Sequence, residues 1–210
     1  MNNELLKRVI TSIVITFLSF YCIIKGTHLF DLFILSILSL SLFEWNSLSN
    51  KIIYFIIGSL FLIFAFFFAY QLRNINLSFF LFTIIISISS DIGGYVCGKI
   101  FKGPKLTKIS PNKTFSGCIG SFFFSIVIGL LYLKYIDYSL IEIMNINLVK
   151  FLFLIITFSA INQIGDLTIS YFKRINKVKN TGNILPGHGG VLDRIDGMIF
   201  VLPVAYYIFL

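Results

Sequence analysis

The chain has 210 residues, of which 57% are hydrophobic and only 12% are charged. This composition excludes an ordinary soluble domain and is typical of a membrane protein. The net charge of +8 would suit a nucleic-acid partner, but the placement of the basic residues along the chain argues against nucleic acid.

Seven apolar stretches follow one another along the chain, and a spanning helix needs roughly 20 apolar residues. The stretches cover residues 9–24, 29–45, 52–70, 77–90, 115–133, 148–171 and 192–210. No signal-peptide cleavage pattern follows the first one, so we expect it to remain as a helix of the mature protein. The sequence therefore predicts an all-α fold, a polytopic transmembrane bundle of about seven spans.

The basic residues are distributed unevenly between the two ends of these spans. With the N-terminus inside, the outer segments hold only four of the 17 basic residues, which are Lys25, Arg73, Lys134 and Lys150. This asymmetry agrees with the positive-inside rule and predicts a cytoplasmic N-terminus. The two most basic loops, 99–113 and 173–179, then both face the cytoplasm, where their charge would attract an anionic substrate.

Polar residues close two of the early spans. Glu44 and Trp45 end the second span and are interpreted as an interfacial anchor, with the Trp ring at headgroup depth. Asp91 ends the fourth span and precedes Gly93 and Gly94, which allow a helix or a ligand to approach the backbone closely. Asp91 is therefore either an interfacial residue or a residue that shapes a glycine turn.

The loop before the fifth span carries a candidate phosphate site. Ser110 and Lys113 belong to the run Ser-Pro-Asn-Lys-Thr, which offers hydroxyls, a lysine and helix N-terminal amides at one place. Such a combination suits a phosphate group. The other lysines of this loop are typical of a solvated segment or one that contacts anionic lipid.

The end of the sixth span carries a polar stripe. Asp166, Ser170 and Arg174 follow one another at a spacing of four, so a helix places them on one face. A carboxylate, a hydroxyl and a guanidinium in one stripe could bind a metal ion and a phosphate. The alternative interpretation is helix capping with a basic end that reaches toward the interface.

A pair of carboxylates begins the seventh span. Asp193 and Asp196 share a face if the segment is helical, and paired carboxylates can bind Mg²⁺. Acidic residues are also favoured at a helix start, and Arg194 between them could form a local ion pair. His188, which lies between glycines, could contact phosphate or could only close a turn.

The segment 170–196 resembles the signature of the phosphatidate cytidylyltransferase family, the CDP-diacylglycerol synthases. The pattern Ser-x-x-Lys-Arg-(x4)-Lys-Asp, then Pro-Gly-His-Gly-Gly, then Asp-Arg-x-Asp is matched in order and spacing by Ser170, Lys173, Arg174, Lys179, Pro186, Gly187, His188, Gly189, Gly190, Asp193, Arg194 and Asp196. Upstream residues also resemble the family, including Asp91, Gly93, Tyr95, Gly98, Ser110, Lys113, Thr114, Gly117 and Asp166.

The resemblance implies a reaction and a site. CTP and phosphatidic acid would give CDP-diacylglycerol and pyrophosphate, with Mg²⁺ bound by Asp166 and Asp196 and assisted by Asp193. Phosphate contacts would come from basic and polar side chains, namely Ser110, Lys113, Ser170, Lys173, Arg174, Lys179, His188 and Arg194. The family analogy also leaves room for a second, monovalent cation such as K⁺. It implies a homodimer in the inner (cytoplasmic) membrane of a bacterium, with the active site facing the cytoplasm.

Two positions depart from the family pattern. Asn180 replaces an aspartate after Lys179, and Ser116 replaces a glutamate before Gly117. Relative to most members of the family, we also expect the scaffold before residue 80 to be shortened. We therefore divide it into N-terminal membrane helices, 1–80, and a catalytic membrane domain, 81–210.

Three other functions agree less well with the sequence. A CDP-alcohol phosphotransferase needs an Asp-Gly-x-x-Ala-Arg stretch with further aspartates, which the sequence lacks. A lipid kinase would need less of the Pro-Gly-His-Gly-Gly block, whereas this sequence contains all of it. A transporter of anionic solutes predicts internal repeats and midplane charges, whereas charge here concentrates at one face.

Overall fold

The computed structural model describes residues 3–107, 110, 112–137, 139–185, 187 and 189–210. Within these ranges the chain forms helices and no strands, which confirms the all-α prediction. The helices are α1 Asn3–Lys25, α2 Thr27–Leu48, α3 Ile52–Ile75, α4 Leu77–Phe101, α5 Phe115–Tyr135, α6 Ser139–Ile143, α7 Leu148–Ile175, α8 Leu192–Ile195 and α9 Met198–Phe209.

Five of the described helices, α2 to α5 and α7, are long and apolar enough to cross a membrane. Two shorter apolar helices accompany them, Ile13–Lys25 within α1 and Met198–Phe209. Large apolar side chains such as Phe17, Phe43 and Phe153 are exposed on these helices, which is the pattern of surfaces that face lipid. The chain is thus a polytopic helical membrane protein.

The predicted seventh span, 192–210, is not one helix. It is divided into α8 and α9 at Asp196 and Gly197, and the Gly197 N–H donates a hydrogen bond to Asp196 Oδ1 at 2.9 Å. A side chain at Gly197 would collide with Asn162, because its Cβ would lie 2.5 Å from Asn162 Oδ1. With 12 residues, α9 extends about 18 Å, less than the roughly 30 Å of a bilayer core.

The fourth helix is longer than its apolar stretch predicts. The sequence places the end of the span at residue 90, whereas α4 continues through the Asp91-Ile-Gly-Gly motif to Phe101. The glycines therefore do not form a turn at Asp91. They lie in helix, and the chain leaves α4 only at Lys102 and Gly103, where φ is positive (52° and 110°).

The chain is divided into two compact units. The first unit contains residues 1–70 and 172–195, and the second unit contains residues 71–171 and 196–210. The boundaries fall within α3, within α7 and between α8 and α9. The predicted division into 1–80 and 81–210 concerns function, and it stays a prediction.

In the first unit, Glu44 and Trp45 are buried, with 1% and 4% of their surface exposed. Trp45 Nε1 donates to the backbone oxygen of Tyr54 at 3.1 Å, and its ring packs edge-on against Phe172. Gly58 leaves room for the indole, since a Cβ there would lie 2.0 Å from it. Both side chains therefore pack against protein rather than lipid headgroups, and the depth predicted for the Trp45 ring stays a prediction.

The second unit contains an aromatic core and a glycine-mediated helix contact. Phe82 is fully buried and its ring meets those of Tyr132, Phe151 and Phe158. Helices α4 and α5 approach so closely that a Cβ at Gly93 would lie 2.4 Å from a backbone oxygen of α5. Small residues allow this contact, which brings the polar end of α4 beside the start of α5.

Candidate functional site

An open pocket of about 260 Å³ lies in the second unit, between the helices that the glycine contact holds together. Its walls come from α4, α5, α7 and the loop before α5. Among the described residues, the charged side chains that line it are those of Asp91, Lys113 and Asp166. Sequence reasoning had placed a phosphate contact and a metal ligand on two of these residues, and the fold brings both to one pocket.

Lys113 and Asp166 are paired in this pocket. Lys113 Nζ lies 2.6 Å from Asp166 Oδ2, and both side chains are about a quarter exposed. The Ser170 hydroxyl donates to the other oxygen of the same carboxylate, at 3.2 Å. Asp166 and Ser170 therefore share one face of α7, as their i, i+4 spacing predicts. The Asp166 carboxylate contacts the Lys113 ammonium group and the Ser170 hydroxyl.

Asn162 orients Asp91, and sequence reasoning did not find it. Its Nδ2 donates to Asp91 Oδ1 at 2.7 Å, and its side chain is fully buried. Among the described residues, its Oδ1 has no hydrogen-bond partner. A signal was available, because Asn162 lies four residues before Asp166 and extends the polar stripe by one helical turn.

The loop before α5 ends in a helix cap. Thr114 Oγ1 accepts a hydrogen bond from the N–H of Gly117 at 3.1 Å, and the Lys113 N–H donates to the backbone oxygen of Ser110 at 3.0 Å. Thr114 and Gly117 also line the pocket. Ser116, one of the departures from the family pattern, contacts the Thr114 hydroxyl and the backbone oxygen of Lys102.

In the first unit, Asp193 joins the end of α7 to the segment that follows it. Lys173 Nζ lies 2.8 Å from Asp193 Oδ1, and both side chains are at least 90% buried. Asp193 Oδ2 accepts from the backbone N–H groups of Thr181 and Gly190, at 2.9 and 3.0 Å. Asp193 thus contacts α7 through Oδ1 and the following segment through Oδ2, and its predicted role as a metal ligand stays a prediction.

The other predicted phosphate contacts of the first unit lie at its surface. Arg174, Lys179 and Arg194 are exposed, and Arg174 donates to the backbone oxygen of Val178 at 3.3 Å. His188, with the neighbouring Pro186, lies outside the residues that the structure describes.

Asp196 belongs to the second unit, in the turn between α8 and α9, and it is 9% exposed. The predicted helical face shared with Asp193 required both residues to lie in one helix, and α8 ends at Ile195, so Asp196 lies outside it. Within the described part of the chain, no group of three or more His, Cys, Asp or Glu side chains is arranged to hold a metal ion.

Comparison with known proteins shows close similarity to a set of bacterial enzymes. Over 141 residues, 67% of this chain, it is 41% identical to a phosphatidate cytidylyltransferase of Staphylococcus aureus (strain COL). The proteins of that name from Staphylococcus saprophyticus and Staphylococcus haemolyticus are 39% and 38% identical over the same length. The aligned region covers 52% of each relative, so the chain spans about half the length of the curated relatives it matches.

A family model is matched over a longer part of the chain. Residues 46–210 match the model described as Cytidylyltransferase family, and this range includes Asp91, Lys113 and Asp166 of the pocket as well as Asp193 and Asp196. The match contains both segments in which the sequence resembled that family. The chain therefore belongs to the Cytidylyltransferase family.

Proposed function

We propose that this protein transfers the cytidylyl group of CTP to phosphatidic acid, which yields CDP-diacylglycerol and pyrophosphate. The observation that carries this proposal is the ion pair of Lys113 and Asp166 at a pocket that Asp91 also lines. A lysine and two carboxylates supply a cation for a phosphate and oxygen ligands for a divalent metal. The printed name of the staphylococcal relatives supports the choice of substrates.

The reaction needs positioning more than acid–base chemistry. An anionic oxygen of the lipid phosphate attacks the α-phosphorus of CTP and forms a new P–O bond. The bond from that phosphorus to the oxygen shared with the β-phosphate breaks, and pyrophosphate leaves with the electron pair. Because the attacking oxygen is already ionised, no general base is required, and the sequence shows no nucleophile–base triad.

The pocket residues fit a magnesium ion. Mg²⁺ prefers oxygen ligands and is commonly held by one or two carboxylates together with substrate phosphates. Asp91 and Asp166 offer carboxylates at one pocket, while Asp166 meanwhile bonds Lys113 and Ser170. When bound, Mg²⁺ would neutralise charge that develops on the transferring and leaving phosphates.

We propose Asp166 and Asp196 as the principal metal ligands and Asp193 as an assisting one, and Asp91 is the further carboxylate that the pocket offers. In the second unit, Lys113, Ser110 and Ser170 would orient the phosphates. The remaining basic and polar contacts proposed from sequence are Lys173, Arg174, Lys179, His188 and Arg194.

Position-specific labelling of CTP tests the reaction type. Purified protein would be incubated with phosphatidic acid, Mg²⁺ and CTP labelled with ³²P at either the α- or the γ-phosphate. We expect the α-label in the lipid and the γ-label in pyrophosphate, and neither transfer with Asp166→Asn. Transfer of the γ-label to a lipid would instead show a kinase, and no transfer of either label in the wild-type protein would contradict the proposal.

We further propose a homodimer in the cytoplasmic membrane of a bacterium, with the pocket open to the cytoplasm. The positive charge of the two basic loops supports this orientation. Crosslinking in native membranes would test the dimer, and recovery of the monomer alone would count against it.

A further inference from the structure

Glu44 of α2 is a buried carboxylate that bonds the glycine loop, by which we mean residues 181–191, all described except 186 and 188. Its Oε1 accepts from the N–H of Val191 at 2.8 Å, and its Oε2 accepts from the N–H of Leu192 at 2.8 Å. Oε2 also accepts from the Thr181 hydroxyl at 2.9 Å. All of these residues lie in the first unit.

Thr181 connects Glu44 to a second carboxylate that contacts the glycine loop, that of Asp193. Its hydroxyl donates to Glu44, while its backbone N–H donates to Asp193 Oδ2. Gly190 donates to that same Asp193 oxygen, and Asp193 in turn bonds Lys173. Both ends of the glycine loop are therefore fixed by two carboxylates, one of which comes from a helix more than a hundred residues earlier in the chain.

Two glycines of the loop lie against the Glu44 carboxylate. A Cβ at Gly190 would lie 2.5 Å from Glu44 Oε2, and a Cβ at Gly182 would lie 2.8 Å from Glu44 Oε1. Any larger residue at Gly190 would displace the carboxylate or the loop. The close approach gives a physical reason for a glycine at the end of the Pro-Gly-His-Gly-Gly run.

The chemistry of the site requires a carboxylate rather than an amide. Three donors point at the Glu44 oxygens, and a carboxylate accepts from all of them through two oxygens. In glutamine, one oxygen is replaced by an NH₂ group, which would face an N–H or O–H donor without an acceptor. No salt bridge to Glu44 occurs among the described residues, so hydrogen bonds must offset its desolvation.

We propose that Glu44 is a positioning residue, which holds the glycine loop and, through Thr181 and Gly190, the Asp193–Lys173 pair in the geometry that the phosphates need. The proposal rests on the proposed function. It concerns a residue that lies just before the matched region, residues 46–210. Positioning errors of about 1 Å can cost on the order of 100-fold in rate.

Hydrogen exchange tests the loop contact without reference to activity. In Glu44→Gln, peptides that contain Val191 and Leu192 should exchange faster than in the wild type, because one of these two amides faces the new NH₂ group and loses its acceptor. The matched control is Ser41→Ala, on the same helix, since Ser41 is buried and its Oγ has no partner among the described residues. Unchanged exchange in Glu44→Gln would overturn the proposal.

Kinetics separates positioning from stability. We expect kcat per folded Glu44→Gln molecule to fall by roughly 10- to 100-fold, with KM for CTP and for phosphatidic acid within about threefold of the wild type. This loss should persist at temperatures far below the unfolding midpoint. A role in stability alone would instead restore the wild-type kcat in the cold, and that result would overturn the proposal.

A pair of substitutions at Thr181 keeps the test decisive if Glu44→Gln does not fold. Thr181→Val removes the hydroxyl at nearly constant volume and should lower kcat, whereas Thr181→Ser keeps the hydroxyl and should restore most of it. Equal kcat in the two variants would count against the proposal. If the wild type makes no CDP-diacylglycerol, the proposed function fails, and hydrogen exchange alone decides whether Glu44 holds the loop.

Discussion

Lys113 and Asp166, which lie on either side of α5 in the sequence, form an ion pair of 2.6 Å at the pocket. Sequence reasoning gave them different partners, a phosphate for the lysine and a metal ion for the aspartate. The structure shows them bound to each other. The binding of a substrate phosphate to Lys113 and of a metal ion to Asp166 would therefore have to separate the two side chains. Loss of the lysine should then raise the affinity for the metal ion and lower the affinity for CTP.

We first predict opposite effects for Lys113→Gln. Without the ammonium group, the Asp166 carboxylate is free for a cation, so the affinity for Mn²⁺ as a spectroscopic Mg²⁺ substitute should rise. The affinity for CTP should fall, by about tenfold or about 1.4 kcal/mol, because a phosphate contact is lost. Paramagnetic resonance and equilibrium binding would measure the two effects, with the exposed Lys102→Gln as a control of equal charge. Parallel changes in both affinities would contradict the prediction.

Asp166→Asn and Asp196→Asn should each abolish turnover and leave membrane insertion intact. Each substitution removes an anionic ligand from a cation that is expected to stabilise transition-state charge, so the loss should be on the order of 100-fold or more. Steady-state rates at limiting Mg²⁺ would measure it. Near-normal rates in both variants would rule out this metal assignment.

Asn162→Leu should lower kcat by more than its effect on stability explains. The substitution removes the donor that orients Asp91, and it also removes a buried oxygen that has no partner among the described residues. Loss of the bond to Asp91 is destabilising, whereas loss of the unpaired oxygen has the opposite effect, so we expect the unfolding temperature to change little. Thermal unfolding and kcat measured together would show the divergence.

The control for Asn162→Leu is Asn176→Leu. Asn176 also has a buried Oδ1 without a partner in the described part of the chain, and it does not line the pocket. A normal kcat in Asn162→Leu, or an equal loss in both variants, would show that the Asn162–Asp91 bond has no role in turnover.

Asn180→Asp should change the Mg²⁺ or CTP dependence by a modest factor, on the order of tenfold or ~1.4 kcal/mol. The Asn180 amide and the Asp193 carboxylate both border Gly189, within 3.3 Å of the position of an added Cβ. The substitution would place a second negative charge in this region. Kinetics over a Mg²⁺ titration would compare the two proteins. If Asn180→Asp instead converts an inert protein into an active one, the enzyme assignment for the natural chain is wrong.

Single cysteines near Asn112 and Lys177 should be labelled from the same side of the membrane, the side of the N-terminus. The positive-inside asymmetry of the basic loops is the reason. Membrane-impermeant thiol reagents applied to intact cells and to inverted vesicles would measure it. Labelling of the two loops from opposite sides would overturn the predicted topology.

The sequence by itself determined the class of fold and the family. In a bilayer the backbone must satisfy its own hydrogen bonds, so long apolar runs become helices almost regardless of context. The signature residues are close in sequence, from Ser170 to Asp196, so their identity and spacing could be recognised directly. The same local logic placed Asp166 and Ser170 on one helical face, as observed.

Only the tertiary structure decided which polar residues meet. Asn162 and Asp91 are 71 residues apart, and Glu44 reaches Thr181 and Leu192 across 137 and 148 residues. Helical periodicity relates residues within one turn or two, and it says nothing about partners on distant elements. The predicted C-terminus of α4, at residue 90, and the predicted start of the last helix, at residue 192, were wrong for the same reason. Gly93 and Gly197 are places of close helix approach, and whether a glycine ends a helix or packs against another depends on the neighbour that the fold brings to it.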